Sequence, residues 1–197
     1  MNREYFTIFI CIFLPFIFIT RVLETYLLET NKIAGVKFAS WTKQVFGLVY
    51  LLIIAGSLAE YFIVERNINV IVTTTGIVLL TVKMIIKFWA AKSLGKYWSH
   101  HVEIRAEHEL IKSGPYKYIR HPAYSSAMLD TVGIPLVANA YYTVVFAVIL
   151  RLIAILLRVK YEEKALVKKF GEEYERYRSE TGALFPSLIK IYSNRNN

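Results

Sequence analysis

Cysteine is almost absent from this sequence. The 197 residues include a single cysteine, Cys11, which lies in an apolar run, so the chain cannot form an internal disulfide. Zinc sites take cysteines and histidines at characteristic spacings, and the adjacent residues His100 and His101 match none of these spacings. We therefore expect no metal ion and interpret Cys11 as a small apolar residue.

Signatures of nucleotide-binding and nucleic-acid-binding folds are also missing. The sequence contains no Gly-x-Gly-x-x-Gly motif, the phosphate-binding turn of Rossmann folds. Acidic residues are few, since 15 Asp and Glu stand against 24 Lys and Arg, for a net charge of +9. No base-stacking or groove-reading motif accompanies this charge, so we exclude nucleic acid as a partner. Basic residues that flank membrane spans on the cytoplasmic side explain the excess better.

Apolar residues are abundant, and they occur in blocks. The chain is 55% hydrophobic, with a mean hydropathy of +0.40, whereas soluble domains are roughly 45–50% apolar. This pattern predicts an all-α, polytopic membrane protein with about five transmembrane helices. The five blocks begin at Tyr5 (ending in the mid-twenties), Val45 (to Val64), Ile68 (to Ala91), Ser125 (to Ala138) and Tyr141 (to Leu157).

Charge asymmetry predicts the topology. The lysine-bearing loop after the first span, the polar segment 92–124 and the tail 158–197 should share the cytoplasmic side, which puts the N-terminus outside. Lys83 and Lys87 are four residues apart near the far end of the third span, so they share one helix face. We expect both side chains to snorkel to the membrane interface.

The polar segment 92–124 holds all four histidines and is interrupted by a Gly-Pro turn. Pro122 stands at the start of an apolar helix and places His121 just before that helix begins. Unpaired backbone N–H groups at a helix start form a natural site for a carboxylate or phosphate. From composition alone, however, anchoring of Arg120, His121 and Tyr124 at the lipid headgroups is the favoured explanation.

A second polar feature follows the fifth block. Arg158 and Glu162 lie one helical turn apart, and an ordinary surface pair of this kind contributes only ~0.3–0.5 kcal/mol. The two short apolar blocks should form a helical hairpin, which would bring Tyr124 at its start near Arg158 at its end. Beyond the hairpin, an apolar stripe predicts an amphipathic helix that Gly171 interrupts and Gly182 ends.

Two groups of motifs flank this hairpin at a defined order and spacing. The first contains His108-Glu-Leu-Ile, Ser113-Gly-Pro-Tyr and Arg120-His-Pro-Ala-Tyr, and the second contains Glu162-Glu163 and Phe170-Gly-Glu-Glu-Tyr. Over residues 95–186 the chain thereby resembles the isoprenylcysteine carboxyl methyltransferases, in the form of a short prokaryotic member. The resemblance divides the chain into the N-terminal transmembrane helices, 1–91, and a C-terminal catalytic region, 92–197.

The resemblance implies S-adenosylmethionine as methyl donor and S-adenosylhomocysteine as product, bound without a Rossmann domain. It assigns Arg158 to substrate binding and Arg158 and Glu162 to catalysis. His101 is included in the cofactor site because it stands where the family often has a glutamine. By motif match, the cofactor-binding residues are His101, His108, Glu109, Leu110, Ile111, Tyr116, His121, Pro122, Ala123, Tyr124 and Glu162.

The implied acceptor is a lipophilic molecule that enters from the bilayer, with an isoprenylcysteine-like carboxylate as the main expectation. A carboxylate is already ionised at neutral pH, so it needs no general base, and Arg158 would hold it. An amine or thiol acceptor would instead make Glu162, His121 or Tyr124 candidate bases. Phospholipid N-methyltransferases and small-thiol S-methyltransferases share this C-terminal signature and stay open as alternatives. A non-catalytic membrane scaffold, which would bind no donor, is the alternative from outside the enzymes. Sterol reductases, another class of membrane enzyme, are disfavoured because they are much longer than this sequence.

Overall fold

The computed structural model describes residues 2–29, 36–99, 102–104 and 109–187, with side chains for 2–27, 39–99 and 109–187. The helices are α1 (Arg3–Glu29), α2 (Trp41–Ile63), α3 (Val70–Leu94), α4 (Pro122–Val137), α5 (Tyr141–Phe170) and α6 (Glu172–Glu180). Short 3-10 turns occupy Gly95–Tyr97 and Gly114–Lys117. Two three-residue strands, β1 (Val36–Phe38) and β2 (Val102–Ile104), pair antiparallel and join the loop after α1 to the loop after α3.

The predicted all-α membrane architecture is confirmed. Helices α1, α2, α3 and α5 are each long and apolar enough to cross a membrane. The fourth predicted span, α4, has 16 residues, whereas a full crossing takes ~20. The chain is therefore a multi-pass membrane protein in which α4 is the short limb of the hairpin.

Helix α5 is longer than the sequence pattern indicated. The returning limb was expected to end at Leu157, but the helix continues to Phe170, a length of 30 residues, or about 45 Å. Arg158 and Glu162 thus lie on the same rigid helix as the membrane span. Gly171 ends α5 with a φ of +56°, and α6 follows directly, so the predicted break at Gly171 is confirmed.

Buried polar groups close the hairpin at the membrane end opposite Arg158. Asn139 adopts a φ of +57° in the turn between α4 and α5. Its side-chain oxygen accepts the backbone N–H of Asn69 at 2.9 Å, and its amide donates to the hydroxyl of Thr73 at 2.8 Å. The Glu60 carboxylate accepts the backbone N–H of Thr143 at 2.7 Å and so caps the start of α5 from α2. These bonds fix α4 and α5 against α2 and α3.

The expectation that Lys83 and Lys87 snorkel to the interface is wrong. Both residues are only 6% exposed. The Lys83 Nζ lies 3.1 Å from a Glu24 carboxylate oxygen and 3.4 Å from Asp130, and Lys87 pairs with Glu24. Helices α1 and α4 bring acidic partners to the lysine face of α3, and a buried charge is tolerated when it is paired in this way.

Gly76 allows the closest approach between α3 and α4. A Cβ at this position would lie 2.7 Å from the backbone nitrogen of Val137 and 2.8 Å from the carbonyl oxygen of Gly133. We expect Gly76→Ala to lower the melting temperature in detergent by about 3–10 °C, because backbone atoms must separate. Gly47→Ala is the matched control, since a Cβ there meets nothing within 4 Å. Equal melting temperatures for the two variants would contradict the close packing at Gly76.

Candidate functional site

The hairpin brings three polar side chains into one chain of hydrogen bonds. Arg158 Nε donates to the Tyr124 hydroxyl at 2.8 Å, and that hydroxyl donates to the Glu162 carboxylate. The guanidinium of Arg158 also lies over the rings of Phe46, at 5.1 Å, and Tyr124, at 5.6 Å. Arg158 is only 5% exposed. The predicted proximity of Tyr124 and Arg158 is thereby confirmed.

His121 precedes α4 and is buried, with 4% exposure. Its ring stacks on Tyr124 with the centroids 5.4 Å apart, and its Nε2 lies 3.3 Å from Glu163 Oε1. Several backbone groups at this helix start, where the sequence predicted an anion site, are already hydrogen-bonded within the protein. His121 N–H donates to the Ala183 carbonyl, and the N–H groups of Tyr124 and Ser125 both donate to the His121 carbonyl.

Glu163 joins the C-terminal segment to the polar segment before α4. Its carboxylate accepts Arg120 Nε at 3.0 Å and lies 3.3 Å from Arg178 Nε. Arg120 in turn donates to the carbonyls of Arg178 and Thr181. Glu163 is 9% exposed, and its pair with Arg120, whose side chain is also 9% exposed, is shielded from water more than ordinary surface pairs are. Residues 171–184 are consequently fixed over the site.

We expect Glu163→Gln to loosen that C-terminal segment, because Arg120, Arg178 and His121 would lose a charged acceptor that each of them contacts. Removing one partner of a largely buried ion pair costs about 3 kcal/mol or more. Limited proteolysis should therefore cut residues 171–187 at least about tenfold faster in the variant than in the wild type. Glu175→Gln is the control, because Glu175 pairs with Arg178 only at 3.8 Å on the exposed face of α6. Equal cleavage rates in both variants would show that Glu163 does not hold the segment.

A cavity of about 600 Å³ opens beside these residues. One part lies among polar and aromatic residues, including Tyr97, Trp98 and Tyr116, and another lies among the membrane helices, where Phe18 and Leu51 contribute. Pockets that bind small molecules typically have volumes of roughly 300–1,000 Å³. The cavity is thus large enough for a ligand and connects a polar region with the apolar interior.

Most residues that the sequence assigned to the site meet at this cavity. Pro122 is buried as the first residue of α4 but does not line it. His101 and His108 lie outside the described residues. The assigned residues that line the cavity are Glu109, Leu110, Ile111, Tyr116, His121, Ala123, Tyr124, Arg158 and Glu162.

Three tyrosines in the cavity wall keep their protons at neutral pH. Burial raises the pKa of Tyr177 to about 12. Burial, with a smaller contribution from the Glu163 charge, raises the pKa of Tyr174 well above its ordinary value, and burial next to the Glu162 charge does the same for Tyr116. These phenols therefore act as hydrogen-bond donors and aromatic surfaces, and not as bases.

Several cavity residues were absent from the sequence assignment. The ring of Phe46, on α2, contacts two guanidinium groups, that of Arg151 at 5.0 Å and that of Arg158 at 5.1 Å. Arg21 on α1 and Lys87 on α3 also line the cavity. Charged residues inside membrane spans are a signal of function, and that signal was available for Lys87 but was explained as snorkelling.

Comparison with known proteins identifies the region around this site. Residues 74–168 match the profile described as the isoprenylcysteine carboxyl methyltransferase (ICMT) family. The chain is 38% identical over 89 residues to the uncharacterized protein YpbQ of Bacillus subtilis, which covers 45% of this chain and 52% of that protein. It is 33% identical over 121 residues to a probable protein-S-isoprenylcysteine O-methyltransferase of Oryza sativa subsp. indica, covering 59% of this chain and 62% of the relative. The matched region therefore spans between half and two thirds of these relatives.

A solved structure shares the fold. The eukaryotic intramembrane Ras methyltransferase ICMT superposes with a TM-score of 0.56 at 19% identity, over 77% of this chain and 50% of that chain. At this level of identity the likeness establishes the arrangement of the helices.

Proposed function

We propose that this chain is a member of the isoprenylcysteine carboxyl methyltransferase family, whose profile residues 74–168 match, and that it transfers a methyl group from S-adenosylmethionine to a lipophilic acceptor. The main expectation for the acceptor is an isoprenylcysteine-like carboxylate. The observation that carries the proposal is the contact of Tyr124, Arg158 and Glu162 in the wall of one cavity. That cavity has a polar part suited to the donor and an intramembrane part suited to the acceptor.

The cavity residues fit S-adenosylmethionine. The Tyr174 hydroxyl is buried and has no hydrogen-bond partner among the described residues, and an orphaned buried polar atom is expected to meet a polar group of a ligand. Glu109 and Glu162 line the cavity and would attract the cationic sulfonium and ammonium groups. The aromatic faces of Tyr97 and Trp98 suit an adenine ring or a cation.

The residues of the chain position the acceptor and remove its water. When bound, S-adenosylmethionine supplies a methyl group already activated by the sulfonium charge. Arg158 holds the acceptor carboxylate by a charge-assisted hydrogen bond, while Tyr124 fixes the orientation of Arg158 and Glu162. Burial of the carboxylate strips the hydration that weakens it as a nucleophile. A carboxylate is ionised at neutral pH, so no general base is required.

The polarity of the donor and of the acceptor indicates where each enters the cavity and how the chain is oriented in the membrane. The polar donor enters from the cytosol, so the catalytic region, residues 92–197, presents its polar segments on the cytoplasmic side. Residues 1–91 form the first three membrane helices, and the N-terminus lies outside. The lipophilic acceptor enters from the bilayer, where apolar residues of α1 and α2 such as Phe18 and Leu51 line the cavity. The lysines and arginines of the tail support this orientation.

Labelled methyl transfer tests the proposal. The full chain in phosphatidylcholine nanodiscs, with radiolabelled S-adenosylmethionine, should label an S-prenylcysteine analogue as a base-labile methyl ester. Parallel reactions contain nanodiscs with added phosphatidylethanolamine, or a simple thiol as acceptor. Label found only in phosphatidylethanolamine would favour the phospholipid N-methyltransferase alternative, and label found only in the thiol would favour the small-thiol alternative. A folded sample that labels none of them and binds no S-adenosylhomocysteine would be a non-catalytic scaffold.

A further inference from the structure

The intramembrane part of the cavity is lined by charged and polar residues as well as apolar ones. Arg21 of α1, Tyr50 of α2, Lys87 of α3 and Asp130 of α4 all line it. Lys87 and Asp130 are 6% and 4% exposed. A passage that admitted only a hydrocarbon tail would need none of these groups, since charged side chains are costly among membrane helices.

These residues belong to an intramembrane charge cluster. Its members are Arg21, Glu24, Lys83, Lys87, Asp130 and Arg151. Because four of these side chains are basic and two are acidic, the cluster carries a net positive charge. An uncompensated charge in a low-dielectric environment is expensive and favours binding of an anion.

The ion pairs within the cluster are unevenly shared. The Glu24 carboxylate serves three cations, because Lys87 pairs with it, Lys83 lies at 3.1 Å and Arg21 at 3.7 Å. Among the described residues, Asp130 has one ion-pair partner, Lys83, at 3.4 Å. Arg151 bonds to the neutral Thr131 hydroxyl at 3.0 Å. The positive charge of Arg21 and Lys87 at the cavity wall is therefore only partly neutralised.

The cluster lies at a defined distance from the proposed transfer site. Tyr124 and Asp130 are six residues apart on α4, which corresponds to a rise of about 9 Å along the helix. Phe46 contacts Tyr124, at 5.8 Å between ring centroids, as well as the guanidinium groups of Arg151 and Arg158. One ligand in the cavity can thus have its reacting group at Arg158 and a second group near Lys87.

We propose that Arg21 and Lys87 bind a second anionic group of the methyl acceptor, so that the preferred acceptor is an amphipathic molecule with a carboxylate or similar oxyanion on the order of 10 Å from the methylated oxygen, a spacing set by the rise of α4 from Tyr124 to Asp130. This assignment of substrate class rests on the proposed methyl transfer. Binding of the second anion can nevertheless be measured when no methyl transfer takes place. The structure needs no further residue to make the contact, because both cations already line the cavity.

Two acceptors that differ only in the second anion test the proposal. An N-glutaryl S-prenylcysteine has a terminal carboxylate, and its N-pentanoyl counterpart has a methyl group in that place. We expect the full chain in phosphatidylcholine nanodiscs, without S-adenosylmethionine, to bind the glutaryl compound at least about tenfold more tightly, as a charge-assisted hydrogen bond predicts. Equal affinities for the two compounds would overturn the proposal.

Substitutions assign the preference to the cluster. Lys87→Met should reduce the tenfold preference to within about twofold, while Lys87→Arg should retain it. Arg21→Gln provides a second, milder variant, because its side chain is 28% exposed and pairs with Glu24 only at 3.7 Å. Lys112→Met is the matched control: it removes the same charge from an exposed pair with Glu173 and should keep the full preference. If the cluster variants weaken both compounds equally, the cluster only joins the helices and the proposal is wrong.

Two further experiments test whether the cations bind lipid phosphate instead of the acceptor, and whether the acceptor is methylated at all. Replacing a third of the lipid by phosphatidylglycerol should leave the tenfold preference in place. Loss of the preference there would assign the cations to lipid phosphate and overturn the acceptor assignment. With labelled S-adenosylmethionine added, a glutaryl preference in binding without methylation of either compound would refute the methyltransferase proposal while the anion subsite stands.

Discussion

Arg158→Met should lower kcat/KM for methyl transfer by about 100- to 1,000-fold, because the variant loses the charged donor that holds the acceptor carboxylate. The remaining side chain would still fill the space beside Phe46 and Tyr124, over whose rings the guanidinium lies. Arg158→Lys should fall between the wild type and the methionine variant, since an ammonium keeps the charge but lacks the planar fork of donors.

Donor binding distinguishes this role from a general structural defect. The dissociation constant of S-adenosylhomocysteine should change by less than about threefold in Arg158→Met, which corresponds to under ~0.7 kcal/mol. Arg176→Met on the exposed surface of α6 is the matched control and should keep full activity. A loss of donor affinity that equals the loss of turnover would contradict the assignment of Arg158 to the acceptor.

Glu162→Gln is expected to have the opposite pattern, with donor affinity as the main loss. The Glu162 carboxylate lines the cavity and accepts the Tyr124 hydroxyl, so its charge faces the site proposed for the cationic donor. Removing that charge while keeping the shape should weaken S-adenosylhomocysteine binding at least about 30-fold, or ~2 kcal/mol. Calorimetry on the folded variant measures this loss.

The control for Glu162→Gln is Glu180→Gln, which makes the same change on the exposed end of α6. Its donor affinity should equal that of the wild type. If Glu162→Gln binds S-adenosylhomocysteine normally but loses turnover, Glu162 acts on the acceptor, and the division of roles between Arg158 and Glu162 is wrong.

Local spacing was sufficient to predict the part of the site that the hairpin forms. The gap between the apolar blocks that end at Ala138 and begin at Tyr141 predicted a tight turn, and Asn139 forms it with a φ of +57°. Because α4 and α5 are joined so tightly, Tyr124 and Arg158 must lie side by side, and they share a hydrogen bond of 2.8 Å. The break at Gly171 was equally predictable, since glycine readily adopts the positive φ that ends a helix.

Contacts between distant helices could not be predicted in the same way. Lys83 and Lys87 are buried because Glu24, about sixty positions earlier, and Asp130, on α4, pack against their face of α3. Phe46 has no local motif at all, and only the packing of α2 against α5 places it over Arg158. Hydropathy identifies a span but does not indicate which face meets which neighbour.

The helix start at Pro122 shows a different limit. The sequence correctly placed His121 just before α4, and a helix start offers unpaired N–H groups in general. Here the Ala183 carbonyl, from a segment sixty residues away, accepts the His121 N–H. The C-terminal segment that Glu163 holds in place therefore accepts one of the N–H groups at which the sequence alone suggested an anion.

Binding of S-adenosylhomocysteine to the full chain in phosphatidylcholine nanodiscs is the most direct test of the cavity as a methyl-donor site. Calorimetry should give saturable binding at one site per chain, with a dissociation constant of roughly 1 µM to 1 mM. The binding should weaken at least about 30-fold in Glu162→Gln and persist in Arg158→Met. A folded wild-type sample that releases no heat of binding and gains no thermal stability from S-adenosylhomocysteine would contradict the account.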